Sequence, residues 1–343
     1  MTPDLKGLDA RETEAWAESQ GLKAYQGRQI RHWLFKKLAD SFQEMTDLSK
    51  PLRSVLEGKV RINHLEKVKT LTSDDTTQKY LFRLSDGHFI ESVLIPEEDH
   101  FTVCISSQAG CAMGCLFCST AKQGLKRNLR ASEIIDQVIQ VRKSMDVPDR
   151  LTNIVLMGMG EPLANYDAVI KAVGNLVSGD GMNFSHRKIT LSTCGLVPQM
   201  RRLGKDITIN LAISLNAAND ETRGFLMPVN RKYPLKSLMS ACKDFPLPNR
   251  RMLTFEYILI NDINDRPQDA EKLTKLLSGL RAKINLIPLN PFPDSEMSTP
   301  PMERILRFQE ILIENHFTAI IRKSRGSDIQ AACGQLSGSF SKD

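Results

Sequence analysis

Cys111, Cys115 and Cys118 occur in one run, with C-x3-C-x2-C spacing. Three thiolates this close can hold an iron–sulfur cube by three corners and leave the fourth iron without a protein ligand. An open iron binds and reduces small molecules, so the run points to chemistry rather than to a staple. A zinc ion would need a fourth protein ligand, usually from a second pair, and the sequence has no second C-x2-C or H-x3-H pair. Phe117, inside the run, would shield a cluster from water. A second run, Gly158-Met-Gly160-Glu161-Pro162, combines small residues with a carboxylate. Glycines at a strand end let the backbone approach a ligand closely, and Glu161 could hold an amino group; alone, the run reads equally as a turn. Cys104 lies seven residues before Cys111, and Cys333 lies between Ala-Ala and Gly-Gln-Leu. Each reads either as a small buried thiol or as a group facing the same cavity.

The chain that must position these residues has 343 of them, enough for one large domain and a small accessory one. Its 41% hydrophobic and 25% charged content is that of a soluble globular enzyme. No run approaches the roughly 18 apolar residues of a membrane span, and the first residues lack an apolar signal core. Lys and Arg number 46 against 40 Asp and Glu, an excess compatible with nucleic acid and equally with a solvated basic surface. Seven cysteines, an odd count, argue against a secreted disulfide framework. The expected location is the cytoplasm.

Apolar spacing divides the chain into three parts. Residues 1–72 read as a helical accessory domain that Asp9 opens as a cap, with Ile30, Trp33, Leu34 and Leu38 at helical spacing. Its Arg28, Arg31, Lys36, Lys37, Lys50, Arg53, Lys59 and Arg61 form basic faces that could grip phosphates. Residues 73–99 read as a β-hairpin linker around Ser85-Asp86-Gly87. From 100 to 343 the pattern alternates. Strands are expected at 101–106, 153–158, 188–193, 208–214, 253–260, 283–288 and 318–322, and helices at 132–145, 164–178, 235–244, 267–280 and 303–315. Repeated βα units imply an α/β fold with a parallel sheet, a partial or full (β/α) barrel whose site lies at the C-terminal strand ends. The cysteine run then falls in the first βα loop.

The cysteine run and Gly160-Glu161 together resemble the radical S-adenosylmethionine superfamily. Within it, Ser-Ser-Gln-x-Gly-Cys at 106–111, Met-Gly-Met-Gly-Glu-Pro-Leu at 157–163, Leu-Ser-Thr at 191–193, Asn-Leu-Ile-Pro-x-Asn-Pro-Phe at 285–292 and Ala-Ala-Cys-Gly-Gln-Leu at 331–336 resemble the RNA adenine methyltransferase family of RlmN and Cfr. Phe42-x-x-Met-Thr-Asp-Leu-Ser-Lys extends the likeness into the N-terminal part. The resemblance implies a [4Fe-4S] cluster on Cys111, Cys115 and Cys118 and two S-adenosylmethionine molecules per turnover. Cys333 would take a methyl group from the first by displacement. A 5′-deoxyadenosyl radical from the second would remove a hydrogen from that methyl. The resulting carbon radical would add to adenine as a covalent protein–RNA adduct, which Cys104 resolves by forming a disulfide with Cys333. Glu91 matches the family's proton acceptor, although Cys104 could take that proton itself. Gly160, Glu161, Ser192, Ser214, Leu215, Asn216 and Asn290 match its S-adenosylmethionine contacts. One departure is Asn216, where many members have His; an amide can hydrogen-bond but cannot replace an imidazole in proton transfer.

The implied activity is methylation of C2 at adenine 2503 of 23S rRNA and adenine 37 of tRNAs, with the Cfr-type C8 methylation of the same rRNA adenine as the alternative. The implied partners are those RNAs and an external one-electron reductant such as flavodoxin or ferredoxin; no membrane is involved, and the chain is expected to be a monomer. Lys122, Lys126, Arg127 and Arg130 after the cysteine run add candidate phosphate contacts, and the target adenine must leave its stack to be reached. Two readings from other classes are an RNA-binding protein with a structural cluster, which needs neither Cys104 nor Cys333, and an enzyme that makes a glycyl radical on a partner, which needs no methyl-carrying cysteine.

Overall fold

The computed structural model describes residues 3–292 and 295–338. The N-terminal helices are α1 (Ala10–Ser19), α2 (Ala24–Phe35) and α3 (Lys50–Lys59). Asp9 caps α1 reciprocally: its Oδ1 accepts the Glu12 N–H at 2.8 Å, and Glu12 Oε2 accepts the Asp9 N–H at 2.9 Å. Ile30, Leu34, Phe35 and Leu56 turn the apolar faces of α2 and α3 into the core. The segment up to 72 is not wholly helical, because Glu66–Thr72 forms strand β1. Its Glu-Lys-Val-Lys-Thr-Leu-Thr sequence leaves every side chain at least partly exposed, as an edge strand requires, so apolar patterning could not reveal it.

Strand β1 pairs antiparallel with β2 (Gln78–Arg83), β2 with β3 (Phe89–Pro96), and β3 with β4 (Phe101–Cys104). The expected linker is therefore the antiparallel wing of the main sheet. A short ribbon follows, β5 (Gln108–Ala109) against β6 (Arg127–Asn128). From β4 the sheet continues in parallel through β7 (Leu151–Leu156), β8 (Ile189–Thr193), β9 (Asn210–Ser214), β10 (Leu253–Leu259), β11 (Ala282–Pro288) and β12 (Thr318–Ile321). Every parallel strand overlaps an expected window, β7 beginning two residues and β11 one residue earlier than expected. Among the described residues ten strands run in order from β1 to β12 with the ribbon set apart, and the two end strands do not pair. The sheet is thus open, the partial form of the two expected.

Between the strands run α4 (Ser119–Lys122), α5 (Ala131–Lys143), α6 (Tyr166–Val177), α7 (Val197–Asp206), α8 (Asp220–Leu226), α9 (Leu235–Asp244), α10 (Pro267–Leu277) and α11 (Met302–Glu314). Among the described residues no helix is long and apolar enough to cross a membrane. The N-terminal helices are docked on this core by buried polar groups. Lys6 Nζ lies 2.5 Å from Asp136 Oδ1 on α5, and Asp136 Oδ2 accepts the Leu65 N–H at 2.6 Å. Arg31, expected on a basic RNA face, is buried instead: it donates to Asn175 at 2.9 Å, to Asp180 at 3.0 Å and to the Leu8 carbonyl at 3.0 Å. Arg127 is also occupied, its guanidinium shared between Asp86 and both oxygens of Glu133. Neither side chain is available to a phosphate, because burial of arginine requires partners that use its donors.

Candidate active site

The C-terminal ends of the parallel strands open into one pocket enclosing ≈ 820 Å³ including its mouth, room for a bound small molecule. It is lined by Cys111, Cys115, Cys118, Gly160, Glu161, Ser192, Ser214, Asn216 and Cys333, all expected there. Phe117 also lines it. Cys104, Glu91, Leu215 and Asn290 stand behind this surface.

The cysteine loop leaves β4 and is tied down on every side by backbone. Cys111 N–H donates to the Gly124 carbonyl at 3.2 Å and Lys126 N–H to the Ala109 carbonyl at 2.8 Å, closing the loop at the ribbon. Leu116 N–H reaches the Leu226 carbonyl at 3.0 Å. Burial pushes the Cys111 thiol up to about 11, with Cys118 adding to it. Cys115 is raised further, by burial first and then by the neighbouring Cys118 and Cys111. Three buried thiols side by side are a donor set suited to a cationic group, whose positive charge would let all three ionise. Among the described residues no three His, Cys, Asp or Glu side chains converge on a single-ion site. A four-iron cube spreads its ligands more widely than one ion does, and the residues present fit it.

Gly160 has φ +95°, and a Cβ there would lie 2.5 Å from the Gln108 Cβ and 2.8 Å from the Gln108 nitrogen. Only glycine permits this approach of the β7 end to the entry of the cysteine loop. Glu161 is buried, and burial raises its pKa against four donors. Its Oε1 accepts the Leu163 N–H at 2.9 Å and the Thr193 hydroxyl at 2.8 Å, and Oε2 accepts the Cys194 N–H at 2.8 Å. The Cys194 thiol also hydrogen-bonds this carboxylate, so a pocket ligand would share or displace one of the donors on its roughly four lone-pair sites. Asn216 sits at φ +58°, a left-handed conformation that asparagine tolerates. Its Oδ1 accepts the Ile258 N–H at 2.8 Å, and its backbone carbonyl accepts Asn264 Nδ2 at 2.7 Å. Leu215 is fully buried; its N–H donates to the Glu256 carbonyl at 2.9 Å.

Glu256, on β10, was not expected. It lines the pocket, accepts the Ser192 hydroxyl at 2.9 Å, and has its pKa raised by burial. Ser192 and Ser214 stand 3.3 Å apart beside it. No motif marks Glu256; the one available signal was a lone acid in the apolar run Leu-Thr-Phe-Glu-Tyr-Ile-Leu.

Cys333 rides on the segment after β12. Asn290 Nδ2 donates to its carbonyl at 3.2 Å, Ser119 N–H to the Gly334 carbonyl at 2.7 Å, and Thr120 Oγ1 to the Leu336 carbonyl at 2.6 Å. Asn290 therefore faces the cysteine arm. Water reaches Cys333 through the open pocket, yet protein surrounds it; burial, then the Glu256 carboxylate, push its thiol up to about 11. Cys104 is buried on β4, and its thiol is raised by burial and then by neighbouring Cys333. Glu91 is buried on β3, 3.1 Å from Lys79 Nζ.

Residues 105–274 match the family model of the Radical SAM superfamily, and residues 3–62 match that of the ribosomal RNA large subunit methyltransferase N-terminal domain. Curated relatives include the dual-specificity RNA methyltransferase RlmN of Syntrophus aciditrophicus (strain SB), 52% identical over 98% of this chain and 96% of its own. The protein of the same name from Geobacter sulfurreducens (strain ATCC 51573 / DSM 12127 / PCA) is 53% identical over 98% of this chain and 92% of its own. The crystal structure of a radical SAM methyltransferase from Sphaerobacter thermophilus superposes with a TM-score of 0.94 at 45% identity, covering 98% of this chain and 100% of that one.

Proposed function

Because the chain belongs to the RlmN family of radical S-adenosylmethionine RNA methyltransferases, we propose a residue-level account of RNA methylation by its pocket. The family works with a [4Fe-4S] cluster and S-adenosylmethionine, and the bound cluster supplies the electron that breaks the sulfonium and starts hydrogen abstraction. Cys111, Cys115 and Cys118 would hold three corners of that cluster. The negative charge of Glu161 and the close backbone at Gly160 suit an ammonium group. The Ser192–Ser214 pair suits hydroxyls. Asn216 keeps the β10 end in register, a task an amide performs without an imidazole.

Cys333 carries the methyl group. Its raised thiol must first lose a proton, so the pocket governs when it becomes nucleophilic. Cys104 waits protonated behind it. As a thiolate it attacks the Cys333 sulfur, forms the disulfide, and expels the product carbon with the electron pair of the broken C–S bond; that carbon then takes a proton and becomes the methyl group. An external thiol reductant then returns the disulfide to two thiols. Cys104 is also the group best placed to take the ring proton, since it neighbours Cys333.

The substrates are ribosomal and transfer RNA, methylated at adenine C2. Flavodoxin or ferredoxin as reductant, a monomeric enzyme and a cytoplasmic location complete the reading. The accessory part, 1–72, would supply phosphate contacts from Lys37, Lys50, Lys59 and Arg61, which are exposed, with Lys126 and Arg130 beside the pocket.

The observation that carries this account is that Cys333, 215 residues after Cys118, shares a pocket with the three-cysteine loop and Glu161. Anaerobic reaction with RNA, S-adenosylmethionine and a reductant, followed by nucleoside mass spectrometry, tests it. The expected product is 2-methyladenosine, with none from Cys333→Ala and a trapped protein–RNA adduct from Cys104→Ala. Recovery of 8-methyladenosine alone overturns the C2 assignment, and undiminished product from Cys333→Ala overturns the thiol relay.

A further inference from the structure

Glu91 is 3% exposed and absent from the pocket lining. Its Oε1 lies 3.1 Å from Lys79 Nζ, on the adjoining strand β2. Its Oε2 accepts the N–H of Ser337 at 2.8 Å and that of Gly338 at 2.9 Å. Lys79 Nζ in turn donates to the Gln330 carbonyl at 3.2 Å. The ion pair thus spans the arm that carries Cys333: Lys79 holds it three residues before the thiol, and Glu91 holds it four residues after. Gln330 stands at φ +53°, a left-handed conformation costly for a residue with a long side chain, which persists only where its surroundings hold it. The same wing of the sheet grips the start of the arm, through Ser73 Oγ on Asp328 Oδ1 at 2.5 Å and the Gly326 N–H on Asp75 Oδ2 at 3.1 Å.

A general base must reach the proton it removes. Both oxygens of Glu91 are instead engaged by a cation and by two amides of the arm. We propose that Lys79 and Glu91 form a positioning clamp that holds the Cys333 arm in the pocket, and that Glu91 acts through Cys333 rather than as the acceptor of the ring proton. The proposal rests on Cys333 being the methyl carrier. It assigns Lys79 a part in the reaction although that residue never meets the substrate. A buried pair suits the task because loss of either member leaves the other charge uncompensated, so the two act as one unit.

The test uses the full chain with four variants: Glu91→Gln, Glu91→Ala, Lys79→Met and Lys79→Arg. Amide hydrogen exchange over residues 330–338 is read on the protein without cluster or cofactor. Methylation of the Cys333 peptide and RNA product are read on the loaded enzyme. Glu91→Ala and Lys79→Met should each raise exchange in the arm about ten- to a hundredfold, the loss expected for hydrogen bonds to charged groups. They should also lower Cys333 methylation and product together, and Lys79→Arg should restore both. The opposite pattern overturns the clamp: Glu91→Gln leaves Cys333 methylated and the RNA attached as an arrested adduct, while Lys79→Met is as active as wild type. If Glu91→Ala does not fold, the two Lys79 variants decide, because lysine at 79 has no role in proton removal on either view. Full product from Cys333→Ala would defeat the methyl-carrier reading separately, leaving the exchange result to stand or fall alone.

Discussion

Cys333 and Glu256 are coupled by charge. The carboxylate helps hold the thiol at about 11, so removing it should favour the thiolate. In the protein without cluster or cofactor, Glu256→Gln is expected to speed iodoacetamide capture of Cys333 at a given pH. Capture by the wild type should climb with pH throughout the range below about 11, since only the thiolate reacts. Peptide mass spectrometry over a pH series reads both; equal rates in variant and wild type would show that the carboxylate does not act on the thiol. Cys111, Cys115, Cys118, Glu161 and Cys333 were legible as residues of one pocket because each stands in a run whose composition packing does not explain. Glu256 was not, because a single acid inside a β-rich run carries no spacing signal. The surroundings of Glu91 were equally hidden, since its partners lie on another strand and on a segment almost 250 residues away.

Elements built from apolar periodicity were visible and those built from backbone economy were not. All seven parallel strands are short β-branched runs, and each was expected. Helix α7 was missed because its Val-Pro-Gln-Met-Arg-Arg-Leu-Gly-Lys-Asp sequence buries only Val197, Met200 and Leu203. Helix α8 was missed because its seven residues bury only Arg223 and Leu226. Yet α8 aims Arg223 at the strand ends, where it donates to the Leu215 carbonyl at 3.0 Å and to the Cys194 carbonyl at 2.8 Å. The β7 end depends on Gly160, and Gly160→Ala should fail there: the added methyl meets Gln108 while the backbone stays at positive φ. The expected outcome is a protein that folds but has lost at least about tenfold in S-adenosylmethionine affinity, a small displacement of contacts being enough for that. Equilibrium binding of the cofactor measures it, and unchanged affinity would remove this strand end from the site.

The molecule joins its N-terminal helices to the sheet by buried polar contacts, so a face on those helices keeps a fixed relation to the pocket. Asp136→Ala should destabilise the chain by about 3–5 kcal/mol, because it strands the Lys6 charge in the interior; a urea midpoint unchanged from wild type would contradict this. RNA affinity should fall with salt, and replacing exposed Lys50 or Lys59 by Ala should each lower the slope of log affinity on log salt by about 0.7–0.9. Arg31→Ala should leave that slope unchanged, because Arg31 faces α6 and the loop after it rather than solvent. Filter binding over a salt series separates the two cases. Which basic side chains point outward was not legible from charge, since Arg31 and Arg28 share a helix and only burial distinguishes them.

The ribbon of β5 and β6 has a consequence for how freely this part of the chain can vary. It shuts residues 110–126 into a closed loop at Gly110, where φ is +74° and an added Cβ would lie 1.9 Å from the Gly124 carbonyl oxygen. The loop is also bonded to the Cys333 arm and to the end of α8 by its own backbone. Both ends of the loop are therefore fixed, and its length is set by the ribbon rather than by solvent. An insertion or deletion between Gly110 and Lys126 would have nowhere to be absorbed except at Cys111, Cys115 and Cys118 themselves, so this stretch should tolerate changes of residue far better than changes of length.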